Sequence, residues 1–78
     1  MQGAIVMVQI ATNTDFSALH KELHGTENVK EVYFLAGPTD VICRVEAADV
    51  AGVVSIVSKI RRLTGVTSTD TRFILPLH

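Results

Sequence analysis

One pattern occurs twice in this chain. An apolar run from Ile5 to Ile10, a stretch with helical spacing, Gly25 and an extended run from Val29 to Phe34 make the first copy. Val41 to Val45, a second helical stretch, Gly65 and Val66 to Leu75 make the second. A tandem of βαβ units constrains a fold severely, because right-handed crossovers put both helices on one side of the sheet. The pattern predicts an α+β, ferredoxin-like βαββαβ domain with a four-stranded antiparallel sheet and two helices on one face. The other face has no covering element in this reading, so a partner is expected to cover it wherever it is apolar.

The 78 residues are expected to form a single domain, 1–78, near the lower size at which one hydrophobic core suffices. An apolar fraction of 47% against 19% charged excludes disorder. The longest apolar runs, Ala4 to Val8 and Val32 to Ala36, are far too short to span a bilayer, so no membrane partner is expected. The N-terminal residues lack a secretory signal pattern and Cys43 is the single cysteine, which points to a cytoplasmic protein without an internal disulfide. Net charge is -1, with Lys59, Arg61 and Arg62 as the dense basic cluster, which argues against direct binding of nucleic acid.

Strand one is read from Gly3 to Ile10 and carries Val6, Val8 and Ile10 on one face, Ile5, Met7 and Gln9 on the other. Such apolar content on both sides suggests that neither face is left wet. Asn13 or Thr14 can cap a helix from Thr14 to His24, with Phe16, Leu19 and Leu23 inward and Gly25 as a left-handed C-terminal cap. Strand two is expected from Val29 to Leu35, and Gly37-Pro38-Thr39-Asp40 reads as a turn. Strand three, Val41 to Ala47, turns Cys43 to the core and Ile42, Arg44 and Glu46 away from it. Asp49 caps a second helix with Val50, Val53, Val54, Val57 and Ile60 inward and Lys59, Arg61 and Arg62 near its negative end. Strand four, Val66 to Leu75, opens with the hydroxyl-rich run Thr67-Ser68-Thr69-Asp70-Thr71.

The spacing of Val29-Lys30-Glu31-Val32, Gly37-Pro38-Thr39-Asp40, Leu63-Thr64-Gly65-Val66 and Thr69-Asp70-Thr71 resembles the effector-binding (RAM) domain of the Lrp/AsnC transcription regulators, over nearly the whole chain. The resemblance implies the stand-alone form of that domain, without a DNA-binding helix-turn-helix. It implies a dimeric α+β barrel made by sheet-to-sheet packing, larger rings of dimers, and a small effector, typically an amino acid, held between dimers. It further implies a non-enzymatic module without a cofactor, acting on transcription through full-length Lrp/AsnC regulators. By the resemblance the effector site maps to Gly37, Pro38, Thr39, Asp40, Thr69 and Thr71, while strand alternation puts the expected dimer interface at Ile5, Met7, Tyr33, Leu35, Ile42 and Arg44 on the helix-free face.

The chemistry suits a zwitterion: Asp40 can accept from an ammonium group, while threonine hydroxyls and turn N–H groups donate to a carboxylate. The plain alternative is that Asp40 only satisfies turn amides and the threonines only suit a strand. Pro38 lacks an N–H and so removes one donor from the turn. His20 and His24 lie one helical turn apart, a spacing able to bind zinc, with His78 as a third candidate, but surface histidines are the better reading and no metal is expected. Cys43 among valines reads as an inert buried thiol. Arg44 and Glu46 read as charges that pair across an interface rather than in water. Two other classes share this architecture: a small monooxygenase-like barrel enzyme, which would need His20 or His24 inside a cavity, and an ACT-like regulatory domain.

Overall fold

A computed structural model describes residues 1–36 and 40–75 of the chain. Its elements run β1 (Gln2–Ile10), α1 (Phe16–His24), β2 (Val29–Phe34), β3 (Asp40–Ala47), α2 (Val50–Arg61) and β4 (Val66–Phe73). The strands form one antiparallel sheet in the order β2-β3-β1-β4, the ferredoxin-like arrangement expected from the duplicated pattern. Gly37, Pro38, Thr39 and His78 lie outside the described residues.

Alternation along the central strands sets the core. Ala4, Val6, Val8 and Ile10 of β1 and Val41, Cys43, Val45 and Ala47 of β3 are all buried beneath the helices. Leu19 and Leu23 of α1 and Val53, Ile56 and Ile60 of α2 close over them. Each of the larger aliphatic side chains contributes about 1.5–3 kcal/mol by leaving water. The helices hold this register through acidic caps: Asp15 accepts from the Ala18 N–H at 3.1 Å and Asp49 from the Gly52 N–H at 2.8 Å.

Several local expectations are corrected. The α1 cap is Asp15, not Asn13 or Thr14, so the helix starts at Phe16, and Phe16 stays 45% exposed. Thr14 is drawn inward instead, its hydroxyl buried without a hydrogen-bond partner among the described residues. Gly25 is right-handed, with φ -80°; the left-handed turn before β2 is made by Asn28, with φ 72°. Along α2 the buried stripe is Val53, Ile56 and Ile60, while Val50 and Val54 are half exposed. A valine-rich helix is apolar on too many sides for residue type alone to select its inner face. Strands β2 and β4 end at Phe34 and Phe73, short of the expected Leu35 and Leu75.

Gly65 is required where it stands. Its φ is 97°, and a Cβ there would sit 2.6 Å from the Thr14 side chain. Its carbonyl accepts from the Ala11 N–H at 2.8 Å, tying the β1 end to the β4 start. Gly65→Ala is therefore expected to destabilise the chain by about 2–4 kcal/mol, from backbone strain and overpacking together. A lower urea midpoint at unchanged m-value would register this; an unchanged midpoint would contradict it.

Candidate functional site

The sheet face turned away from the helices carries the first candidate surface. Strand register puts Ile5 opposite Arg44, Met7 opposite Ile42, and Tyr33 opposite Ile42 from the other side. Leu35 continues this row, its N–H donating to the Asp40 carbonyl at 3.1 Å. Met7, Tyr33 and Leu35 are each about half exposed, at 45%, 51% and 45%. All six residues expected at an interface thus share one open face.

Charges border this apolar centre. Arg44 finds its main partner within its own chain: its Nε donates to Glu31 Oε1, and its Nη1 lies 3.5 Å from Glu46 Oε2. The Tyr33 hydroxyl donates to Glu31 Oε2 at 2.6 Å. A bulge between Val29 and Glu31 makes the contact, shifting the β2 register so that Glu31 lies opposite Arg44. The Tyr33 hydroxyl first, and Arg44 second, hold the Glu31 carboxyl below its usual range. At the β4 edge Arg72 and Asp70 form a further ion pair, 3.1 Å apart.

The expected effector residues fall on two sides of the sheet. Asp40 is exposed at the start of β3, in register with Gln9 on the open face. Thr69 and Thr71 are in register with buried Val8 and Val6, so they face the helix side. With β1 between β3 and β4, Asp40 and these threonines are also about 10 Å apart across the sheet. One small molecule cannot touch both within one protomer. Thr71 instead lines a hollow of ≈ 180 Å³ with Ser58, Arg61 and apolar residues of α2 and β4. Its two hydroxyls and one guanidinium are a donor set suited to a carboxylate. Sequence reading missed Ser58 and took Arg61 only as a helix-end charge. The neighbouring hydroxyls have structural duties: Thr67 donates to the Gln9 carbonyl at 3.1 Å and Ser68 to Gln9 Oε1 at 3.0 Å.

The core holds no buried polar or charged residue among the described residues, and His20 and His24 of α1 are exposed. Burial pushes the Cys43 thiol up to about 11, which keeps it protonated and unreactive at neutral pH. No helix among the described residues is long and apolar enough to cross a membrane.

Comparison with known proteins agrees with this geometry. The model of the Lrp/AsnC ligand binding domain family matches residues 3–76. A homocitrate synthase of Sulfurisphaera tokodaii is 33% identical over 72 residues, covering 92% of this chain and only 16% of the synthase. The crystal structure of TTHA0845 from Thermus thermophilus superposes with TM-score 0.86 at 29% identity, covering 100% of this chain and 98% of that one. Escherichia coli AsnC shares the fold with TM-score 0.72 at 19% identity, over 96% of this chain and 54% of AsnC.

Proposed function

The chain belongs to the Lrp/AsnC ligand-binding domain family, and from that premise we propose that it is a non-enzymatic module binding an amino acid or a close relative where dimers of the chain meet. Domains of this family typically form oligomers, bind small effectors and carry no catalysis of their own. The observation that carries the reading is the match over residues 3–76, which spans both βαβ copies. The open apolar face supports assembly of the chain into sheet-packed dimers. The split of candidate residues over two faces supports a site completed by two protomers. Asp40 of one, beside Gly37, Pro38 and Thr39, takes the ammonium group; Thr69 and Thr71 of another, near Arg61, take the carboxylate.

The ligand acts by favouring the assembly it binds best, since only differential affinity moves an equilibrium. Output to transcription then passes through mixed assembly with full-length Lrp/AsnC regulators, not through DNA contact by this domain. A second reading has one observation in its favour: the homocitrate synthase match suggests that the same unit controls a metabolic enzyme.

A thermal-shift screen of the twenty amino acids tests the ligand class. At a hundredfold excess over the dissociation constant, a true effector stabilises by about 2.7 kcal/mol, or roughly 10–20 °C for a domain of this size. A flat response to all twenty at millimolar concentration would remove the amino-acid reading. Co-sedimentation with a full-length regulator or with a homocitrate synthase separates the two outputs.

A further inference from the structure

Near the C-terminal end of α1, His20 Nε2 and His24 Nε2 approach to 3.1 Å. Their ring centroids are 4.3 Å apart with planes at 66°. The His20 ring also rests against Phe34 of β2, centroids 5.4 Å apart, and Phe34 meets Phe16 edge to face at 6.0 Å. Phe34, itself packed on Phe16, thus braces one imidazole, while the helical repeat brings the second beside it. Two neutral imidazoles this close can share one N–H···N hydrogen bond, and tautomerisation of the donor ring, which moves its proton to Nδ1, leaves a lone pair on each facing Nε2 for a metal ion.

We propose that His20 and His24 form a bidentate site for a late divalent transition metal of the Cu²⁺, Ni²⁺ or Zn²⁺ type, with water completing its coordination. An ion about 2.05 Å from each nitrogen would subtend an N–metal–N angle of about 98°, between the tetrahedral and square-planar values. Imidazole nitrogen selects these ions over Mg²⁺ and Ca²⁺, which need oxygen ligands. No group of three or more His, Cys, Asp or Glu surrounds a common point among the described residues, so the site is open and exchangeable, unlike a closed structural zinc site. It lies on the helix side beside the β2 edge, at the other end of the sheet order from the Thr71 hollow beside β4.

Titration calorimetry of the tag-free full chain with CuCl₂, NiCl₂, ZnCl₂ and MgCl₂ tests this. The expected result is one ion per chain, tightest for Cu²⁺, with no response to Mg²⁺. His20→Ala and His24→Ala should each weaken binding at least about tenfold by removing the chelate, whereas Lys21→Ala should not. Both histidines are exposed, and circular dichroism of the variants confirms that the fold is kept. No saturable heat with NiCl₂ or ZnCl₂ up to about 1 mM, or wild-type binding by the His20→Ala/His24→Ala double variant, would overturn the assignment.

Discussion

For the proposed sheet-packed dimer, Ile42→Glu is expected to leave folded monomers. Ile42 sits in the middle of the open face, in register with Met7 on one side and Tyr33 on the other, and it is only partly exposed even in a single protomer. A carboxylate there would be buried against the partner sheet without a matching cation. The cost is several kcal/mol for each copy, and two-fold packing applies it twice. The core should survive, because Ile42 points away from its buried neighbours Val41 and Cys43. Sedimentation velocity at micromolar concentration, with circular dichroism beside it, reads both halves of the expectation. A variant that sediments like wild type would move the interface off this face.

Asp40→Ala should weaken the amino acid that gives the largest thermal shift by about 2–5 kcal/mol, roughly thirtyfold to several thousandfold, provided the carboxylate forms a desolvated pair with the ligand's ammonium group. The backbone role of Asp40, accepting from Leu35, is kept in the variant. Folding should therefore change little. Calorimetry that finds the same affinity in Asp40→Ala and wild type would reduce Asp40 to a residue of the β3 start. The proposed Arg44 role differs: its guanidinium is engaged by Glu31 before any partner arrives, so it enters an interface already neutralised.

Periodicity made the architecture legible. The repeated βαβ pattern led to the observed element order, and strict alternation put Cys43 inside and Ile5, Met7, Tyr33, Ile42 and Arg44 outside. Asp49 was recognisable as a cap because its carboxylate lies three residues before Gly52. What depends on register was not legible. The Glu31–Arg44 contact exists because of a bulge at the β2 start, and an irregularity near Thr67 accompanies the placement of Thr69 and Thr71 on the helix side. No local pattern announces either. The α1 cap was misplaced for a related reason: Thr14, Asn13 and Asp15 are all good caps, and only the packing of Thr14 beside Gly65 leaves Asp15 for that role. That Ser58 and Arg61 share a hollow with Thr71 needed α2 seated on β4 to become visible.

On the proposed function, this chain works by assembling and by letting an effector change how it assembles. Sedimentation velocity of the wild-type chain at micromolar concentration, with and without a saturating amount of the strongest stabilising amino acid, reads both properties at once. Dimers or larger rings are expected without ligand, and a shifted size distribution with it. A folded monomer whose sedimentation no amino acid alters would contradict the proposal.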